Sequence, residues 1–343
     1  MLTEHIYWFA YFGTEEPSVR YRAKYALQQL SADHDISYDI VYPGFRPATI
    51  YRFLKVYCSI LFLRKKNSVI VFEKIHTRRL YATALKILLR IRSGRTLYDI
   101  DDADYLKFPP GSILYFMRHV TQCAAGSRSL ADFTARHNPN VFILTSPVIA
   151  HNCIRSERNK VFTIGWIGYY NAHRESLLQL FFPALSMISF PVKLVLMGVV
   201  KEAHFTELHD YFRSLPHVTI EIPEGIDWQN EHTVYQAIST FDAGIAPLLD
   251  TEINRAKSAF KLKQYMSCGV PVLASGTGEN NVFLKDGING YTCNSAAEFA
   301  DRITLLANSS DDEYYKLSRQ AQATVAEFSM AQYCHTLISN INK

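Results

Sequence analysis

Two stretches of the chain hold residue types that could do chemistry. In the first, Arg255, Lys257 and Lys261 crowd into one short segment, and Ser275, Gly276, Thr277 and Gly278 follow the next apolar run. Cations at the start of a helix add to a macrodipole that is already positive there, which is unfavourable when they are exposed. A bound anion reverses the sign, and a glycine loop lets backbone N–H groups approach it. Two helix starts and three cations suit a diphosphate; the same residues also read as a solvated basic face beside an ordinary turn. The second stretch is Asp99, Asp101, Asp102 and Asp104, which follow a strand-like run. Open α/β sheets place ligands at such strand ends. Carboxylates spaced as D-x-D can hold Mg²⁺ through oxygen, or simply cap the next helix.

The elements that must position these residues are legible from periodicity. Leu262, Tyr265 and Met266 fall at helical spacing, with Ser258 as an N-cap and Gly269 as a C′ stop, so the pattern predicts a helix over 259–268. Lys257, Lys261 and Gln264 then share the face away from the apolar stripe. A strand over 270–274 follows, and a second short helix opens at Glu279. Upstream, strands over 5–12, 38–42, 68–73 and 96–100 alternate with helices over 17–30, 48–65 and 79–91; a helix over 112–122 and a weak strand ending near Ser127 come next. This is the β-α-β order of an α/β fold with a parallel sheet. After a polar, broken stretch the alternation restarts at a strand over 161–167 and a helix over 174–188. The reading gives a first domain over 1–147, a linker over 148–160, a second domain over 161–327 and a last helix over 328–343.

The run RAKSAFKLKQYMSCGVPVLASGTGENNVFLKDGING, Arg255 to Gly290, resembles the donor-binding segment of retaining, family-4-type (group 1) glycosyltransferases with the GT-B fold, and FDAGIAPL, Phe241 to Leu248, matches the same pattern. The resemblance implies two Rossmann-like domains facing an inter-domain cleft, with the last helix crossing back to the first domain. It implies a donor site made of Arg174, Lys257, Lys261 and the Gly276, Thr277, Gly278 and Glu279 backbone, with Gln264 on the donor ribose. The loop after the first strand faces the acceptor in such enzymes, which makes Gly13, Arg20 and Arg22 acceptor-side candidates. YDIDDADY sets Asp101 where many members carry a catalytic-region histidine, so Asp101, Asp102 and Lys261 are the catalytic candidates, with Asp102 or Asp104 orienting neighbours. Departures are visible too. The family's acidic pair, separated by seven residues, falls on Ala256 and Gln264, and Tyr169 stands where an Arg is common. Gln264 can still accept and donate to a ribose. His173 reads as a satisfied surface histidine.

Composition bounds the rest. The 343 residues, 48% of them hydrophobic and 13% aromatic, can bury the core of a two-domain protein. The longest apolar run, 56–63, is far short of the ~20 residues of a membrane-spanning helix, and no charged leader precedes the first strand. Cys58, Cys123, Cys153, Cys268, Cys293 and Cys334 form no C-x-x-C pair, which together with the missing leader predicts reduced thiols and a cytoplasmic protein. Residues 1–150 carry 20 Lys and Arg against 12 Asp and Glu, so the first half should face something negative, such as an anionic membrane or a lipid diphosphate. The helix over 48–65, flanked by Arg46, Arg52, Lys55, Arg64, Lys65 and Lys66, reads either as a membrane-interface helix or as one packed on its own sheet.

The expected activity is sugar transfer, with retention and without a metal or cofactor, from a nucleotide-sugar donor to a saccharide or lipid-linked saccharide acceptor in bacterial cell-surface polysaccharide synthesis. An anionic membrane surface is a further partner, and nucleic acid is not. Three alternatives stay open: a Mg²⁺-dependent phosphatase of the haloacid-dehalogenase type using Asp99 and Asp101, a nucleotide-sugar epimerase on the same fold, and a catalytically inactive nucleotide-sugar-binding subunit.

Overall fold

A computed structural model describes residues 2–63, 65–91 and 94–343; Arg64 of the expected basic flank lies outside them. The chain forms two units. One runs to Ile149 and takes in Arg255–Ser258 and Phe328–Lys343, and the other comprises Ala150–Asn254 and Ala259–Glu327.

In the first unit β1 (His5–Phe9), β2 (Ser37–Val41), β3 (Ser68–Glu73), β4 (Thr96–Ile100), β5 (Gln122–Ala125) and β6 (Val141–Ile143) make a parallel sheet in the order β2-β1-β3-β4-β5-β6. Helices cover both faces, which is why β1, β3 and β4 are buried at every position and read as near-continuous apolar runs. One face packs on the helix Ala26–His34 and on the C-terminal helix Met330–Ile341, whose Met330, Tyr333, Cys334, Leu337 and Ile341 join Leu27 and Leu30 in a single core. The opposite core takes in Val56 and Ile60 of the helix Pro47–Leu63, with Phe53, Tyr57 and Leu61 packed alongside. Ile50, Tyr51, Leu54, Phe62 and Leu63 of the same helix remain exposed. Of the two readings of this helix, packing on its own sheet is seen, and its outer residues stay exposed.

The second unit builds β7 (Phe162–Ile167), β8 (Val192–Met197), β9 (Val218–Glu221), β10 (Ala243–Ala246), β11 (Val272–Ala274) and β12 (Gly290–Thr292) into a parallel sheet ordered β12-β11-β10-β7-β8-β9. Strand order reverses between β7 and β10 here, and between β1 and β3 in the first sheet. Such reversals open a crevice at the strands' C-terminal ends, the usual ligand position in this architecture. The FDAGIAPL run acquires a packing reason. Asp242 is fully buried, ion-paired with Arg155 and accepting from Thr163 N at 2.7 Å, while a Cβ on Gly244 would collide with the Tyr265 ring. Tyr265 in turn accepts from Ile167 N at 3.0 Å and donates to Ile245 O at 3.2 Å, stitching the helix Phe260–Ser267 to β7 and β10.

Several boundaries differ from the periodicity. The helix after β1 continues past Leu30 to His34 through a π-turn at Arg20–Tyr25. The helix after β7 begins at Tyr170 rather than Arg174, because its N-cap, Tyr169, caps with no side chain and leaves no sequence signal. Gln122 opens β5 instead of ending a helix.

Candidate active site

In the first unit the chemistry gathers beyond the C-terminal ends of β3 and β4. Lys74 follows β3 in the left-handed region, φ 54°, and its side chain is buried. Its Nζ lies 3.0 Å from Asp101 Oδ1, 2.8 Å from Asp102 Oδ2 and 3.7 Å from Asp104 Oδ2. Three of the four carboxylates thus converge on one ammonium, and Asp102 also pairs with Lys257 Nζ at 3.2 Å. Burial disfavours the Lys74 cation, but Asp101, Asp102 and Asp104 outweigh it and hold its pKa well above the ordinary value. Burial likewise works against the Asp102 anion, yet Lys74 and then Lys257 keep that carboxyl well below the usual range. At Asp104 burial prevails over the nearby Lys74 and raises the pKa. A long side chain in the left-handed region costs on the order of 1–2 kcal/mol. It persists where the surroundings over-determine it, as they do at sites.

Asp99 and Arg22 take no part. Both are completely buried, the guanidinium fork closes on the two carboxylate oxygens, with Arg22 Nε 2.9 Å from Asp99 Oδ2, and Nη1 donates to Leu144 O at 2.7 Å. Arg22 therefore cannot touch an acceptor, and Asp99 cannot be a phosphatase nucleophile; the physical reason is that a carboxylate inside β4 needs a buried cation. Arg20 is buried as well and donates to Glu15 O at 2.6 Å. Gly13 lies half-exposed in the loop after β1.

In the second unit the helix Phe260–Ser267 carries the donor-side candidates. Its N-cap is Ala259, at φ 55°, and no side chain caps it. Ser258 is one residue too early and belongs to the other unit, where its carbonyl accepts from Thr145 Oγ1 at 3.4 Å. An uncapped helix start presents N–H donors and the positive end of the dipole. Lys261, in the first turn, donates to His173 Nε2 at 2.9 Å, with its Nζ 5.7 Å from the centre of the Trp166 ring. Gly269, at φ 68°, ends the helix as its spacing predicts.

The other donor candidates disperse. Lys257 precedes the helix and belongs to the first unit, so it shares no helical face with Lys261. Gln264 is buried along with Leu262–Ser267, since this helix is covered on every side rather than on one stripe. Arg174 is engaged by Glu207, Nε to Oε1 at 2.9 Å and Nη2 to Oε1 at 2.8 Å. Successive helix residues point about 100° apart; His173, not Arg174, faces Lys261, and it is buried rather than a surface histidine. Gly276 gives its N–H to Asn294 Oδ1 at 2.8 Å, and Thr277 Oγ1 donates to Leu248 O at 3.3 Å. Gly278, at φ 57°, turns the chain, and Glu279 is the buried N-cap of a helix of only four residues, Asn280–Phe283. So short a helix adds little dipole.

Sequence reasoning missed Lys74 and His173. Lys74 had one available signal, a lysine directly after the apolar run of β3 and therefore at the sheet edge. His173 had none, because its partner is 88 residues away.

Residues 159–309 match the family described as glycosyl transferases group 1. Solved structures share the fold over nearly the whole chain. The Anabaena protein Alr3699/HepE, in complex with UDP-glucose, aligns at 14% identity with a TM-score of 0.69, covering 98% of this chain and 99% of that one. Sucrose-phosphate synthase from Thermosynechococcus elongatus aligns at 11% identity and a TM-score of 0.70, over 97% of each chain. The lipopolysaccharide outer core galactosyltransferase WaaB aligns at 14% identity and a TM-score of 0.67, over 98% of this chain and 99% of that one. These likenesses establish the GT-B fold. No curated protein is significantly similar in sequence.

Proposed function

We propose that this chain, whose residues 159–309 match the glycosyl transferases of group 1, is a transferase of that kind, and we propose its donor and stereochemical course. It transfers a sugar from a nucleoside-diphosphate sugar to a saccharide or lipid-linked saccharide acceptor with retention of anomeric configuration. The observation that carries this reading is the start of the helix Phe260–Ser267, uncapped, with Lys261 in its first turn. The fold shared with a protein crystallised with UDP-glucose supports the same donor class.

In the reaction the bond from the anomeric carbon to the diphosphate oxygen breaks while the acceptor hydroxyl bonds that carbon on the departing face. The hydroxyl proton passes to the leaving diphosphate. Lys261 and the helix dipole stabilise that diphosphate more strongly as it gains charge, so they lower the barrier as well as bind. Protein cations in that role make a metal unnecessary. In this reading Asp101 and Asp102, both paired with Lys74, bind the donor sugar's hydroxyls or stabilise the developing oxocarbenium charge.

The test is product analysis by NMR with a panel of nucleotide sugars, with and without EDTA. Retained configuration and EDTA-insensitive turnover are expected; inversion or a strict metal requirement contradicts the reading.

Cell-surface polysaccharide synthesis is the proposed setting, with the chain in the cytoplasm and its first unit resting on an anionic membrane. No helix among the described residues is long and apolar enough to cross a membrane. Exposed Ile50, Tyr51, Leu54, Phe62 and Leu63 beside exposed Arg52, Lys55, Lys65 and Lys66 support surface docking.

A further inference from the structure

Within the second unit, three neighbours define the path of the Lys261 side chain. Its stem crosses Gly168, φ 140°, where a Cβ would stand 2.5 Å from Lys261 Cε and 3.2 Å from Nζ. Its ammonium ends 5.7 Å from the centre of the Trp166 ring and 2.9 Å from His173 Nε2. Trp166 is fully buried and meets the edge of the same imidazole, ring centres 6.0 Å apart at 66°, and His173 is buried too. A buried ring packed on a buried indole has few orientations open to it, so the nitrogen that faces Lys261 is fixed in direction.

An ammonium only donates, so Nε2 meets it with a lone pair and the ring proton sits on Nδ1. The imidazole in this contact is therefore neutral. A neutral acceptor directs a cation without cancelling its charge, whereas a carboxylate does both, as Asp102 does for Lys257 and Glu207 for Arg174. A lysine stem is flexible, and one already aimed loses less freedom when it meets an anion. Such preset direction counts most where negative charge develops during the reaction.

We propose that His173 is a positioning residue: its neutral imidazole holds Lys261 in the direction that meets the leaving diphosphate of the donor. The inference rests on the glycosyl-transfer reading and adds to it a residue that acts only through Lys261.

The test is a double-mutant cycle read by calorimetry. UDP, GDP, ADP and CDP are titrated into the wild-type chain, and the tightest is carried to Lys261→Ala, His173→Leu, His173→Gln and the double variant of Lys261→Ala with His173→Leu. His173→Leu removes the acceptor and should weaken binding at least about fivefold, the scale of one lost hydrogen bond. His173→Gln, whose amide oxygen can take the place of Nε2, should stay within about twofold of the wild type. The double variant should bind within about twofold of Lys261→Ala, since a residue that acts through the lysine then has nothing left to hold. Wild-type affinity in a folded His173→Leu chain overturns the proposal. So do losses that multiply in the double variant, or a folded His173→Gln that binds no better than His173→Leu. Should His173→Leu fail to fold, ¹⁵N NMR decides: the resonance of an unprotonated His173 Nε2 is expected to move in Lys261→Met, and an unmoved one overturns the proposal. If none of the four diphosphates binds the wild type, or Lys261→Ala binds as tightly, the donor reading itself falls and takes this inference with it.

Discussion

Lys74 is the residue on which the first unit's acidic cluster depends. Without its ammonium, Asp101, Asp102 and Asp104 would face one another in a buried pocket. Removing one partner of a buried ion pair typically costs about 3–5 kcal/mol, so Lys74→Met should lose stability on that scale at pH 7 in urea melts. The sign of the pH dependence follows from Asp102. Its carboxyl is held below its unfolded value, so it contributes stability that is present above about pH 4 and is lost as pH falls through the folded pKa. The deficit of Lys74→Met should therefore hold between pH 7 and about 4 and shrink as pH falls below about 4; a deficit that does not change below about pH 4 would argue against an ionic role.

Element ends give a sharper contrast. Ser310 caps the helix Asp311–Ala323 in a full capping box with Glu313, whereas Ser258 caps nothing. Ser310→Ala should cost about 0.5–2 kcal/mol, and Ser258→Ala less than about 0.5 kcal/mol; equal losses would mean that Ser258 caps the helix after all. Inside β3, Glu73 accepts from Trp8 Nε1 at 2.6 Å, and burial, with Asp99 and Asp101 beside it, pushes its pKa up to about 8. The folded state then holds a proton that the unfolded chain releases near pH 4.5. This group makes stability fall between about pH 4.5 and 8, and Glu73→Gln should flatten that fall in melts across the range. The existence of the helices and strands and their parallel alternation were legible in the chain's periodicity, because both sheets are covered on two faces and their strands read as apolar runs. The cap at Ala259 was not legible, since a left-handed alanine carries no side-chain signal.

For the whole molecule the legible part was the α/β plan, including the helix and strand that follow Ala259; the partners of individual charges were not. Lys261 meets His173, Lys257 meets Asp102 and Arg22 meets Asp99. Each partner is distant in sequence, and a residue type at a given spacing does not reveal which distant carboxylate or ring will face it. The charge imbalance of the first 150 residues is a property of the whole chain and has its own test. Reversing Arg52, Lys55, Lys65 and Lys66 to Glu should release the protein from vesicles rich in anionic lipid, with the wild type bound at low salt and freed at high salt. A wild type that never sediments with such vesicles rules the docking out.

The account depends most on the leaving diphosphate being held at the start of the helix Phe260–Ser267. Calorimetry with nucleoside diphosphates on the wild type and on Lys261→Ala addresses it directly. A loss of about 1–3 kcal/mol in binding is the scale of one charge-assisted hydrogen bond, and that loss, with the melting temperature unchanged, is the predicted result. Equal affinity in the two proteins would contradict it.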